Sequence, residues 1–239
     1  MKNIMAGFIL FMSCAAADAQ SWQIGLSNGR VNHENKRLKS FNESISKRLP
    51  FETALTDNFP VVPNYGAEAG YNFNAFFLGI NYAFNSTGSR LTVSDYSGSY
   101  YFDIILNGHL VSVTPGSFFE IANNLKLYFV CDVGAIFSAL ILNEKAHFTD
   151  YGEYSEWHDF KSRSFYARPH MRLSYEFYIL KVGISAGYLL DSQGFFHLKG
   201  ERDRVLRDHR NERVVSDWNG FSTGLSIYIV IPSRPHSSD

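Results

Sequence analysis

Arg168, His170, Arg172 and Glu176 recur at even spacing, so an extended strand through them sets all four on one face. The same parity puts Glu68, Asp132 and Lys181 on the polar faces of other alternating segments. If those faces meet, Glu68, Asp132, Arg168, His170, Arg172, Glu176 and Lys181 converge on one small interior. Charges taken out of bulk water must be paired or hydrated, so the expected chemistry is a network of ion pairs that plugs this interior. A sharper reading is a gated, narrow pore in which Arg168 or Arg172 exchanges partners between Asp132 and Glu68.

Other constellations carry less. Gly220-Phe221-Ser222-Thr223-Gly224 matches the G-x-S-x-G of hydrolases in letters. That motif works only as a strand-to-helix elbow, and here it falls inside an alternating strand. His147, His158 and His209 lie near acids and serines with no spacing that selects a triad, so no catalytic role is assigned and the chain is not expected to be an enzyme. The segment 143–163 holds His147, Asp150, Glu153, Glu156, His158 and Asp159, oxygen-rich enough for Ca²⁺ but without a calcium-loop spacing. A solvated loop is the expectation, with no metal and no cofactor. Arg202, Arg204, Arg207, Arg210 and Arg213 could grip lipid phosphates. Glu201, Asp203, Asp208 and Glu212 are interleaved with them, so mutual pairing is the simpler use.

These residues need strands to position them, and the chain supplies eight. Trp22, Ile24 and Leu26 alternate with Gln23, Gly25 and Ser27 in the first, which runs to about Val31. The second, about Val62 to Phe73, and the third, about Ala75 to Asn85, follow a polar stretch, 32–58. The fourth and fifth form a hairpin around Glu120-Ile121-Ala122-Asn123-Asn124, the fourth starting near Tyr101 with a bulge expected at Asn107-Gly108. In the fifth, Leu127, Phe129, Cys131, Val133, Ala135, Phe137, Ala139 and Ile141 share a face, opposite Lys126, Tyr128, Asp132, Gly134 and Ser138. The sixth covers about Phe165 to Phe177, the seventh Leu180 to Leu190 and the eighth Trp218 to Ile231. Pro115 and Pro169 each remove a ladder donor within this pattern. The connections alternate strictly between long and short, with loops at 86–98, 143–163 and 191–217. An even set of antiparallel strands with short turns at one end and long loops at the other is the layout of an outer-membrane barrel.

Composition agrees. The 239 residues are 45% hydrophobic and 16% aromatic, with 21 Phe and 14 Tyr, rich in strand formers and interface residues. The net charge of -1 offers no basic surface for nucleic acid. No apolar run after the first segment approaches the ~18 to 20 residues of a membrane helix. Lys2, the apolar run Ile4 to Met12 and Ala17-Asp18-Ala19 have the three parts of a secretory signal, giving a signal peptide 1–19, a barrel 20–231 and a periplasmic tail 232–239. Cys14 offers lipidation as a competitor to cleavage before Gln20. With ordinary cleavage only Cys131 remains, so no internal disulfide can form.

The cleavage region, the hairpin 109–141 and Ser222-Thr223-Gly224-Leu225-Ser226-Ile227-Tyr228-Ile229 together resemble the outer-membrane β-barrel domain family of Bacteroidota, the PorT-like small barrels. The last of these is similar to the signal read by the barrel-assembly machinery, although the chain continues to Asp239 where many such proteins end on an aromatic residue. The resemblance implies an all-β, eight-stranded antiparallel up-and-down transmembrane barrel in a Gram-negative outer membrane, with both termini periplasmic. Its expected partners are outer-membrane lipids and lipopolysaccharide, the assembly machinery during biogenesis, and an extracellular ligand reached by the long loops. A structural or surface-interaction role is expected. A lipid-modifying barrel enzyme, a narrow-pore channel and a soluble periplasmic lipid-binding barrel are the alternatives.

Overall fold

The computed structural model describes residues 20–47, 54–96, 98–148, 152–208 and 210–232. Residues 1–19, read above as a signal peptide and including Cys14, the tail after Pro232, Asp150 and His209 lie outside the described residues. The elements in chain order are β1 (Ser21–His33), α1 (Lys36–Ser46), β2 (Ala54–Asn58), β3 (Val62–Phe73), β4 (Phe76–Asp95), β5 (Gly98–Ala122), β6 (Leu125–Phe148), β7 (Gly152–Phe177), β8 (Leu180–Asp191), β9 (His197–Leu198), β10 (Glu201–Val205) and β11 (Gly220–Pro232).

Eight of these strands close a ring in the order β1, β3, β4, β5, β6, β7, β8, β11, antiparallel throughout. The path of paired residues Ser21, Asn72, Phe77, Gly116, Val130, His170, Gly187, Ser222 returns to β1 at Val31, ten residues above its start. Eight strands with this stagger tilt by about 40°, so each residue climbs ~2.5 Å along the axis. Closure leaves no sheet edge around the ring, as hydrocarbon requires of a spanning sheet. The three short turns each carry one left-handed residue, Asn74, Asn124 and Tyr178. Asparagine tolerates that conformation, and Tyr178 adopts it at greater cost.

Along the lower part of the wall, side chains alternate as a lipid-facing barrel requires. Phe129, Ile184 and Ile227 face out, Ile184 being 55% exposed, while Asp132 inside is 0% exposed. Outward aromatics form two girdles ~25 Å apart. Trp22, Tyr71, Phe73, Phe119, Tyr175 and Phe177 make the lower one; Tyr65, Tyr82, Phe84, Phe137, Tyr188 and Phe221 make the upper. Rings touch along the lower girdle, as Trp22 does with Tyr71 at 4.9 Å. At the upper girdle the Tyr82 hydroxyl meets His109 Nδ1 at 2.8 Å and Arg163 lies over Phe137, the arrangement of an apolar body with a polar tip at a wet interface.

Above the upper girdle the pattern inverts. Strands β4 to β7 continue for ~25 Å more, and there the inward face carries an apolar cluster: Leu91, Tyr100, Phe102, Ile104, Leu106, Leu140, Leu142 and Ala146 are buried. Outward positions include Arg90, Asp103, Asn143 and Lys145, with Arg90 and Asp103 paired at 2.5 Å. The inner face is covered by Leu38 and Phe41 of α1, by Phe59, and by Phe196, Val214 and Trp218 of the segment between β8 and β11, in one continuous core. The solvent explains the switch. A wall in lipid hides polarity and a wall in water hides grease.

Several expectations change. Segments 86–98 and 143–163 are mostly strand, because β4, β5, β6 and β7 run past the upper girdle. The polar stretch 32–58 contains α1 and β2. The segment 191–217, expected as a loop, contributes β9 and β10 and folds over the barrel mouth. No bulge occurs at Asn107-Gly108, where both ladders run in register; the irregularity lies between Glu120 and Ala122. The prolines sit where ladders lapse. Pairing of β5 with β6 is interrupted at Thr114 and Pro115, and pairing of β7 with β8 at Arg168 and Pro169.

Candidate functional site: the barrel interior and its mouth

The interior is stacked in layers. At the floor, Lys126 Nζ pairs with Glu176 Oε2 at 2.9 Å and lies over the Phe118 ring. Lys181, fully buried, donates to Gln23 Oε1 and to the Tyr128 hydroxyl, the latter at 3.2 Å. It has no carboxylate ion pair among the described residues. Its Nζ instead sits 4.7 Å and 4.9 Å from the Tyr128 and Tyr228 ring centres, where the negative ring faces take the place of a counter-ion. Gly25 opposite Tyr228 has to be glycine, since a Cβ there would lie 2.2 Å from the ring.

One layer up, Arg172 forks onto Glu68 with contacts of 2.8 Å and 2.6 Å. Gln23 and Asn81 amides complete the carboxylate's acceptors at 3.1 Å and 3.5 Å. The guanidinium is also boxed by Phe77, Tyr128 and Tyr228. Above this, Asp132 accepts from Thr114 at 2.6 Å and from Arg168 Nε and Nη2 at 2.7 Å and 2.5 Å. His170 lies 3.8 Å from the same carboxylate and its Nδ1 faces the Arg168 carbonyl at 3.2 Å. Each arginine therefore has its own carboxylate, an arrangement of fixed pairs rather than of shared partners. A polar cavity of about 50 Å³ remains between these charges and the small residues Gly187, Ser222 and Gly224, room for a few waters.

The next layer separates the polar interior from the apolar core. Asn64 donates to Asn85 at 2.5 Å, and Asn85 Nδ2 in turn meets His33 Nε2 at 3.3 Å. This leaves the His33 proton on Nδ1, which faces the Trp218 carbonyl at 2.8 Å. The His33 ring packs edge-on to Trp218 at 4.7 Å, and the indole donates to Ser138 at 2.8 Å. A Cβ on Gly108 would lie 2.6 Å from the same indole, so that glycine makes room for the tryptophan that stoppers the mouth.

All seven charged residues singled out in the sequence turn into the barrel. Spacing could not reveal Gln23, Thr114, Tyr128 and Tyr228, which tie them together, although the parity of Tyr228 with Ser226 and Gly224 marks it as inward. The remaining motifs resolve differently. Ser222 lies within β11 and bonds the Gly187 carbonyl at 3.4 Å, with no elbow. In the oxygen-rich segment 143–163, pairing of β6 with β7 deals the described donors to opposite faces. Glu156 and His158 meet at 3.0 Å on the inner face, and His147 and Glu153 at 3.6 Å on the outer. Among the described residues no group of three or more such donors converges. Three of the five arginines are used within the fold, where Arg204 meets Glu201, Arg207 donates to the Asn211 carbonyl and Arg213 covers Phe195, while Glu212 pairs with Arg37; the Arg202 side chain lies outside the described residues. Cys131 faces outward on β6, part-exposed and unbridged.

Above the barrel, the concave face of the projecting sheet carries Tyr100, Glu144, Tyr154, Glu156 and His158. Glu144 and Glu156 are direct cross-strand partners, a like-charge pairing that destabilises a ladder on its own. The tyrosines compensate. Burial, with Glu144 beside it, pushes the Tyr100 hydroxyl above its usual range, and a hydrogen bond to Glu156 does the same for Tyr154. Both stay neutral donors. At the mouth, hydrogen bonds from Lys36 and Tyr188 hold the Glu34 carboxyl below its usual range.

No protein-family model matches the chain, and no curated protein matches it in sequence. Among solved structures it is similar to Ail, the attachment invasion locus protein of Yersinia pestis, in complex with the heparin analogue sucrose octasulfate. That match has 14% identity and a TM-score of 0.37, covering 90% of this chain and all of that one. It is also similar to Neisserial surface protein A, with 11% identity and a TM-score of 0.36 over 89% of this chain and 97% of that one. A third is the outer membrane protease OmpT from Escherichia coli, with 10% identity and a TM-score of 0.39 over 90% and 96%. Likenesses this distant transfer neither a ligand nor a reaction.

Proposed function

We propose that this chain is a Gram-negative outer-membrane barrel of the PorT-like kind with a structural or surface-interaction role, its short turns and both termini in the periplasm. The observation that carries this reading is the inversion at the upper girdle. A four-stranded sheet that buries its own apolar core above the lipid is a rigid protrusion, built to stand in water. Beneath it the interior is sealed by fixed ion pairs and a tryptophan stopper, which favours a display platform over a passage and gives the lumen network a structural part. Outer-membrane lipids and lipopolysaccharide contact the wall between the girdles, and the assembly machinery acts at β11 during biogenesis. The extracellular partner meets the projecting sheet.

Cysteine labelling on intact cells tests the placement. In a Cys131→Ser background, a membrane-impermeant maleimide should label Ser94→Cys, beyond the upper girdle, without any treatment. It should reach Asn124→Cys, in a short turn, only after the outer membrane is permeabilised. The reverse pattern would overturn the orientation.

A further inference from the structure

The ring has no edges, but the sheet that rises from it has. On the β4 side the edge is covered by β2. On the β7 side β9 pairs only with Phe160 and Lys161, and the last backbone contact is Lys199 N to the Asp159 carbonyl at 2.8 Å. From Gly152 to His158, β7 has no neighbour on that side among the described residues, while its pairing with β6 runs in unbroken register up to Phe148 and Gly152. The Asp159 contact also fixes which groups face the gap. In an antiparallel strand a residue's N–H and C=O point the same way and alternate, so Glu153, Ser155 and Trp157 present theirs to the open side. These are unused ladder positions, and the stretch has no proline, no lysine and no bulge to blunt it.

The carboxylates Glu153 and Glu156 of β7 flank this edge, with Glu144 opposite Glu156 and one lysine, Lys145, opposite Ser155 on β6. None of Glu144, Glu153 and Glu156 has a lysine or arginine ion pair among the described residues; the charged partners of Glu153 and Glu156 there are histidines, His147 and His158. Trp157, 66% exposed, and Tyr154, 50% exposed, flank them on opposite faces. A second copy of this strand would bring like charges together, whereas an extended cationic segment would find carboxylates and aromatic faces on both sides of a free ladder.

We propose that the open edge of β7, from Gly152 to His158, captures an extended, lysine- or arginine-rich peptide segment as an added β-strand. This rests on the placement proposed above and names the partner of that same projecting sheet.

The test uses the full chain in lipid nanodiscs and two synthetic twelve-residue peptides, one alternating lysine with threonine and one alternating glutamate with threonine. Amide hydrogen exchange should slow at least tenfold at Glu153, Ser155 and Trp157 with the lysine peptide and stay unchanged with the glutamate peptide. Ser155→Pro removes an outward N–H without touching a bond to β6, and should weaken binding at least tenfold. Ser155→Ala should bind as the parent does. Glu153→Gln with Glu156→Gln should weaken binding several-fold and flatten its salt dependence. Equal binding by Ser155→Pro, equal binding of the two peptides, protection elsewhere, or peptide-free dimers paired through β7 would each overturn the proposal. If Ser94→Cys is labelled from outside and Ser155→Pro still binds, only the edge mode fails. If Ser94→Cys is not labelled, the placement itself fails.

Discussion

The pair Glu68 and Arg172 shows what a charge inside a membrane barrel needs. The fork alone would not offset removal of both ions from water. The Gln23 and Asn81 amides and the three rings around the guanidinium complete the solvation that water would have given. Breaking half of the pair should therefore cost more than replacing all of it. Glu68→Gln or Arg172→Met alone leaves a buried unpaired charge and should destabilise by about 3–5 kcal/mol, while the double variant should lose less than either. Urea unfolding in vesicles measures all three, and a double variant as weak as the sum of the singles would refute the coupling. The charges were legible in the sequence because Arg168, His170, Arg172 and Glu176 step by two along one strand. Their companions were not, since Gln23, Thr114 and Tyr228 come from strands whose register no local pattern states.

Between the girdles each strand was legible because lipid on one side and a narrow interior on the other force strict period-two alternation. Above the upper girdle the same strands change solvent, and inward and outward residues exchange character. Thr87, Ser89, Leu91 and Val93 stay on one face of β4, yet the polar residues among and around them read as a loop. The helix α1 was missed although Leu38, Phe41 and Ile45 have helical spacing and lean on the core. A short amphipathic helix among polar residues is a weak signal unless something apolar waits for it. If the girdle marks the solvent boundary, one substitution should behave oppositely on its two sides. Ile184→Arg, outward near mid-band, should cost about 2–4 kcal/mol, whereas Ile105→Arg, outward on β5 above the girdle, should stay within about 0.5 kcal/mol of the parent. Equal costs in vesicle unfolding titrations would move the boundary.

For the whole molecule, ring size and stagger set what the interior can do. Eight strands enclose a space that side chains can fill, and here three different kinds of layer fill it in series: lysine held on tyrosine faces, arginine–carboxylate forks, and a histidine–tryptophan stopper beneath an apolar core. Each closes the cross-section by a different interaction, so no single change of salt or residue loosens all of them. The small polar cavity lies among the arginine–carboxylate forks, below the stopper. Planar bilayers should therefore show no conductance steps with the native chain. Lys181→Ala, Arg172→Ala and Trp218→Ala should each remain silent, because two intact layers stay in the path. Steps from the native chain, or from any one of these variants at moderate voltage, would mean that the layers open together and that the interior is a gate after all.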